Sequence, residues 1–228
     1  MFGFKPKQPI DSQSRLRDAL FGDTLFSGVS DLSPQAVSLE PWASFKCARD
    51  FIDARDSEQA ITTLRNVLDM PQMESRIVLQ AWHVLRSLGV EPPEQLAKKV
   101  LGVVVEIGMP KGTDLVAGYS DHSARYWNFS GAGVVWEHPN NTLDSLIDDL
   151  LSKGSSLVQR IGPWKEPRRG APQNGIARLN FLTPSGLHFG EGPMNAIAAD
   201  PKGGLVLTSA FQLMKALMNL GKQHSPAH

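Results

Sequence analysis

The most constraining feature of this 228-residue sequence is a change in the spacing of its apolar residues at Leu101. Before Leu101, apolar residues recur every three or four positions, which is the pattern of helices with one buried face. From Leu101 onward β-branched residues dominate, and the run Gly102–Met109 predicts a strand. A chain with this order of patterns is expected to fold as an α+β protein, with helices first and a sheet second.

The segment after the first predicted strand contains turn signals at short intervals. The most specific is Met109-Pro-Lys-Gly112, which has proline and glycine where a type I turn favours them. The predicted turns are residues 109–112, 121–123 and 130–131, and the predicted strands are residues 102–109, 115–120, 124–129 and 133–136. Because each hairpin reverses direction, the turn at 121–123 and the chain exit at Glu137-His138 should lie at the same end of this antiparallel meander.

The first hundred residues predict helical hairpins. Asp56 and Gln59 have the spacing of a capping box, which opens an amphipathic helix, and Gly89 is suited to end the helix after it. The expected parts of the chain are a loosely ordered N-terminal arm at 1–41, a helical region at 42–100, an antiparallel α+β domain at 101–221, and a disordered tail at 222–228.

After the meander, the sequence predicts flanking helices and a late β-hairpin. The helix that follows the fourth strand places its leucines inward and Asp144, Asp148 and Asp149 outward. The late hairpin pairs residues 178–182 with residues 187–190, and a long loop without regular structure precedes it. We expect the helices to cover one face of the sheet. No long crossover between parallel strands is required, which argues against a doubly wound nucleotide-binding fold.

Composition restricts the compartment and the partners. Lysine plus arginine equal aspartate plus glutamate at 23 each, so the excess of positive charge typical of nucleic-acid-binding proteins is missing. The single cysteine excludes an intramolecular disulfide, and no apolar stretch has the length of a signal peptide core or a membrane span. We therefore expect a soluble cytoplasmic protein that interacts with neither membranes nor nucleic acids. No Rossmann or Walker motif occurs, so no cofactor is expected.

Several ionisable residues are candidates for a metal or acid/base site at one end of the sheet. They are Asp121, His122, Glu137 and His138, with His188 of the late hairpin as a further candidate. These residue types ligate metals, but two strands separated by a third lie roughly 9–10 Å apart, which is too far for one shared ion without strong twist. The preferred interpretation is that these are exposed turn residues and that no metal is bound.

Ser185 is a candidate for a nucleophilic serine. It lies in Thr183-Pro-Ser-Gly186, which lacks the Gly-x-Ser-x-Gly elbow that exposes a catalytic serine between a strand and a helix. A serine in a turn is the simpler interpretation.

The loop at residues 162–175 predicts a binding surface. Arginine binds phosphates and carboxylates, and tryptophan with arginine is typical of interface hot spots. The candidate binding residues are Trp164, Arg168, Arg169, Arg160 and Arg178. Our preferred hypothesis is a non-enzymatic interaction or regulatory protein with a protein partner. The alternatives are a metal-dependent hydrolase with its site at the sheet end, and binding of an anionic ligand at the basic residues 160–178.

Overall fold

The computed structural model describes residues 12–23 and 38–223. Its centre is one antiparallel sheet of six strands in the order β4-β3-β2-β1-β5-β6. The strands are β1 Gly102–Met109, β2 Gly112–Tyr119, β3 Ala124–Trp127, β4 Gly133–Trp136, β5 Ile176–Thr183 and β6 Gly186–Pro193. The predicted α+β fold, with its meander of four strands and its late hairpin, is confirmed.

Helices precede, interrupt and follow the sheet. In the described part of the chain they are α1 Ser12–Asp18, α2 Trp42–Asp53, α3 Ser57–Leu68, α4 Ser75–Ser87, α5 Glu94–Ala97, α6 Asp144–Val158, α7 Met194–Ala199 and α8 Gly203–Gln223. Asp56 caps α3, since its carboxylate accepts a hydrogen bond from the backbone N–H of Gln59. None of these helices combines the length and the apolar character that a membrane span needs.

The late hairpin belongs to the same sheet as the meander. Strand β5 pairs antiparallel with β1, and Val105 lies opposite Leu179. The first strand therefore becomes a central strand with a hydrogen-bonded neighbour on each side. The turns 121–123 and 184–185 both lie at the end of the sheet where β1 begins, because Gly102 is opposite Tyr119 of β2 and Leu182 of β5.

Helices cover both faces of the sheet, so the expectation of one covered face is wrong. Helices α6 to α8 pack against the face that carries Val103 and Val105. The opposite face carries Val104 and is covered by Leu20 and Phe21, which follow α1, together with Leu79 of α4. The reason is visible in β1, where consecutive valines are apolar on both sides, as is typical of a strand buried on both faces.

A buried ionic cluster holds α1 against the sheet. Glu106 of β1 is fully buried, and its carboxylate is bonded to Arg17 of α1 and to Arg178 and Asn180 of β5. Arg17 also donates to the backbone carbonyl of Arg169. Residues 12–23 of the predicted arm are thus packed into the fold, whereas the rest of the predicted loose arm up to residue 37 and the end of the predicted tail lie outside the described residues.

Candidate functional site

Two histidines meet at the end of the sheet. Ala124 of β3 is paired with Trp136 of β4; His122 precedes this pair by two residues and His138 follows it by two. Their ring centroids are 5.1 Å apart. The expected separation of 9–10 Å is wrong because the 121–123 turn leads directly into β3, the hydrogen-bonded neighbour of β4, and no strand lies between the two histidines.

Both histidines have an unusual backbone conformation. The φ angle is 60° at His122 and 52° at His138, which is the left-handed region that non-glycine residues seldom occupy. Such conformations cost on the order of 1–3 kcal/mol each and are common at binding sites. Here they occur at both members of one histidine pair.

Asp144, the first residue of α6, completes a cluster of three possible metal ligands. One Asp144 oxygen lies 3.0 Å from His138 Nε2, and the other lies 4.0 Å from His122 Nδ1. Each of the three side chains has one possible ligand atom within 4.8 Å of those of the other two. The short connection from β4 to α6 brings the helix start beside both histidines.

The carboxylate of Asp144 lies at ion-pair distance from His138. Its Oδ1 atom is buried and makes no hydrogen bond of good geometry with any residue in the described ranges, although His138 Nε2 is close. Two atoms that each ligate zinc at 2.0–2.1 Å lie roughly 3.0–3.4 Å apart. The His138–Asp144 distance matches this spacing, and His122 Nδ1 lies 4.0 Å from the other oxygen of the same carboxylate.

Asp148 orients one of the two imidazoles. Its Oδ1 atom lies 3.0 Å from Nε2 of His122, one helical turn after Asp144. An ionised carboxylate accepts hydrogen bonds, so this contact places the proton of neutral His122 on Nε2 and leaves Nδ1 free to bind a cation. This is the carboxylate–histidine–metal arrangement found in many metal sites.

Asp121 forms hydrogen bonds at the sheet end and lies outside the three-residue cluster. Its carboxylate accepts hydrogen bonds from the backbone N–H groups of Ser75 and Ser123, at 2.7 and 2.9 Å. Burial alone would raise the pKa of Asp121, but the hydrogen bonds from Ser75 and Ser123 outweigh it and hold the pKa below its usual value. Asp121 therefore anchors the start of α4 to the sheet end.

Glu137 and His188 also lie outside the three-residue cluster. Glu137 is exposed, forms an ion pair with the buried Arg125 and lines a groove. His188 is fully buried on β6, where its Nε2 lies 3.2 Å from Ser185 Oγ. Of the five residues predicted at the sheet end, His122 and His138 belong to the three-residue cluster, and Asp121 and Glu137 line the adjoining groove with His138.

A polar groove adjoins the cluster of His122, His138 and Asp144. It runs between the start of α4 and the sheet end, and its walls include Ser120, Ser123, Glu137, His138 and Lys99. The hydroxyl of Ser123 is buried there, beside the carboxylate of Asp121.

The predicted basic loop has few free charges. Arg168 forms ion pairs with Asp18 and Asp23, and Arg178 is buried between Glu106 and Glu191. These two arginines hold the loop onto the fold.

The outer part of the loop is more accessible. Arg169 is half-exposed and lies over the rings of Trp164 and Phe189, at 5.1 and 5.4 Å from their centroids. Arg160 is exposed at the end of α6. Whether this surface binds a partner stays a prediction.

Sequence reasoning missed Asp144 and Asp148, which were expected only to face solvent. The available signal was their spacing of four residues on the helix that begins just after His138, which puts both on one face of its first turns. Comparisons with protein-family models, with curated proteins and with solved structures give no significant match to this chain.

Proposed function

We propose that the protein binds a divalent zinc-type cation through His122, His138 and Asp144 and uses it in hydrolysis. The observation that carries this proposal is the buried Asp144 Oδ1, which lies at ligand-pair distance from His138 Nε2 without a hydrogen bond. Two imidazoles and one carboxylate are the donor set of catalytic zinc sites, which keep one position for water.

The groove beside the cluster supports hydrolysis rather than a purely structural metal. A structural zinc site has four protein ligands, whereas three are assembled here among the described residues, next to a polar groove. A zinc-bound water has a pKa of about 7 and supplies hydroxide at neutral pH. Glu137 at the groove edge is the carboxylate that we assign as proton acceptor for this water.

Calorimetric titration of the metal-free full-length chain with Zn²⁺ tests the binding step. We expect one equivalent of Zn²⁺ to bind. His138→Ala and Asp144→Asn should each weaken the affinity by at least about 100-fold, a larger loss than is expected for a residue that only hydrogen-bonds to a ligand. His83→Ala, a histidine on α4 outside the cluster, serves as the matched control. Failure of the wild-type chain to bind Zn²⁺, Mn²⁺ or Fe²⁺ would refute the proposal.

Hydrolysis is tested separately with the zinc-loaded protein and bis-p-nitrophenyl phosphate. Glu137→Gln should lower the rate by about 100-fold or more while one equivalent of zinc remains bound. If the zinc-loaded wild type has no activity above free Zn²⁺, the cation site is not a hydrolytic one.

A second candidate function is binding of a protein partner at Trp164, Arg169 and Phe189. The stacked, half-exposed arginine and its two aromatic neighbours favour it, since such groups are enriched at interface hot spots. Trp164→Ala with Arg169→Ala should abolish a specific complex detected by crosslinking in lysate, with the thermal midpoint unchanged. Crosslinked products identical to those of the wild type would count against this surface.

A further inference from the structure

Ser185 and His188 form a hydrogen-bonded pair that the metal site does not use. Ser185 Oγ lies 3.2 Å from His188 Nε2, a distance at which an imidazole can remove the hydroxyl proton. The two residues are brought together by the β5–β6 turn, since Ser185 lies in the turn and His188 lies on the strand after it. Ser185 is partly exposed, whereas His188 is fully buried.

The surroundings of His188 favour its action as a base. Burial lowers the pKa of His188, so the ring is neutral at neutral pH and can accept a proton. The backbone carbonyl of Ile161 lies beside the ring. A carbonyl oxygen only accepts hydrogen bonds, so it favours the tautomer of His188 with the proton on Nδ1. Among the described residues, Nδ1 forms no other hydrogen bond of good geometry. Nε2 is then the atom with a free lone pair, facing Ser185.

The serine opens onto a groove with a cation at its wall. This groove lies between the 162–175 loop and α4, and Ser185, Gly186, Trp164 and Arg86 line it. Arg86 donates a hydrogen bond to the carbonyl oxygen of Pro184, and its guanidinium would be 3.8 Å from a Cβ placed on Gly186. Arg86 thus lies beside the two turn residues that flank Ser185, and its positive charge in the shared groove favours the negative oxygen that develops in acyl transfer.

We propose that Ser185 is a nucleophile activated by His188, and that this second groove hydrolyses carboxylic esters through an acyl-serine intermediate. Ser185 Oγ forms a bond to the ester carbonyl carbon while its proton passes to His188 Nε2. The bond from that carbon to the alcohol oxygen then breaks, and the alcohol leaves with the proton from His188. Water attacks the acyl-serine, gives one proton to His188 and releases the carboxylic acid, after which the proton returns to Ser185.

The structure also explains why the turn needs no nucleophile elbow. The backbone N–H of Ser185 donates to the carbonyl of Ala97, and Thr183 Oγ1 lies 2.9 Å from Ser185 Oγ. These contacts hold the serine side chain in place from two sides. A hairpin turn can therefore present an oriented serine, a task that the strand-to-helix elbow performs in other hydrolases.

An alkyl fluorophosphonate tests the nucleophile directly. Attack by Ser185 forms an oxygen–phosphorus bond and releases fluoride, so intact mass should show one adduct and peptide mapping should place it on Ser185. Ser185→Ala should lose the adduct, whereas Ser130→Ala, in the β3–β4 turn, should keep it. Adduct formation at another residue, or unchanged labelling of Ser185→Ala, would overturn the proposal.

Two further measurements separate a base from a structural histidine. As the pH is lowered, the labelling rate of the wild type should fall with a midpoint below 6.5, the ordinary pKa of histidine. This measurement requires no variant that could misfold. His188→Gln should reduce the rate by about 100-fold or more. A rate independent of pH down to the unfolding range would contradict general-base action.

The ester substrate and the independence from the metal site are tested together. p-Nitrophenyl acetate should give a burst of one equivalent of p-nitrophenol, followed by slower turnover, from protein treated with a chelator as well as from untreated protein. A missing burst would overturn the acyl-serine proposal and leave the metal proposal standing, because the latter is judged by zinc titration and by phosphodiester hydrolysis.

Discussion

The carboxylate of Asp121 accepts a hydrogen bond of 2.7 Å from the backbone N–H of Ser75, the first residue of α4. In return, the Ser75 hydroxyl accepts a hydrogen bond from the backbone N–H of Asp121. A residue of a β-turn thereby caps a helix that precedes it by 46 positions and fixes that helix to the end of the sheet. The same turn presents His122 to the candidate metal site, so the cap also stabilises the position of this ligand.

Replacing Asp121 by alanine removes this cap. We expect the free energy of unfolding to fall by about 1–2 kcal/mol, the usual cost of losing a helix-capping side chain. Urea denaturation followed by circular dichroism measures it. Asp53→Ala, at an exposed aspartate at the end of α2, provides the control, and an equal loss in both variants would contradict the cap.

The contribution of Asp121 to the free energy of unfolding should decrease at acid pH. Its folded-state pKa is lowered from the ordinary value of 3.8, so the folded state favours the ionised carboxylate. The resulting stabilisation is complete above pH 3.8 and is lost as the pH falls through the lower folded-state value. The stability difference between wild type and Asp121→Ala, measured by urea titration from pH 7 to pH 3, should be constant at first and shrink at the acid end. A difference that grows on acidification would disprove the assignment.

Replacing Asp148 by asparagine tests the outer partner of His122. The variant keeps all three proposed ligands but weakens the hydrogen bond that orients Nδ1, and we expect Zn²⁺ affinity to fall by about 10-fold. Asp149→Asn is a matched control because it makes the same charge change on the next residue, whose carboxylate is bonded to Lys153 and Ser209. Equal affinities for the two variants in competition titrations would remove Asp148 from the site.

Replacing Glu106 by glutamine should destabilise the protein strongly. The change leaves Arg17 and Arg178, both nearly buried, facing each other without their shared carboxylate. Loss of one member of a buried ion cluster costs about 3–5 kcal/mol. Denaturant titration of this variant beside Glu58→Gln, an exposed glutamate on α3, gives the comparison. A loss below about 1 kcal/mol would mean that the cluster does not hold α1 to the sheet.

Much of the sheet and part of the site could be predicted because short-range chemistry determines them. Pro110 between β1 and β2, the glycine that begins β2, and the short turns after them set the hairpin order and the register from Gly102 to Trp136. That register alone places His122 and His138 two residues beyond one cross-strand pair. The proximity of His122 and His138 could therefore be predicted from the sequence. The expectation of a third strand between them was wrong, because β3 and β4 are direct neighbours.

The remaining relationships depend on packing between distant segments. Arg17 and Glu106 are 89 positions apart, and nothing near either residue indicates its partner. The pairing of β5 with β1, the cover over the second face of the sheet, and the groove beside Ser185 all arise when separate elements bury apolar surface together. The sequence by itself thus determined the local elements and their turns, because these follow from interactions within a few residues. Only the tertiary structure decided which charged and nucleophilic side chains meet, because that choice depends on the free energy of the whole packed chain.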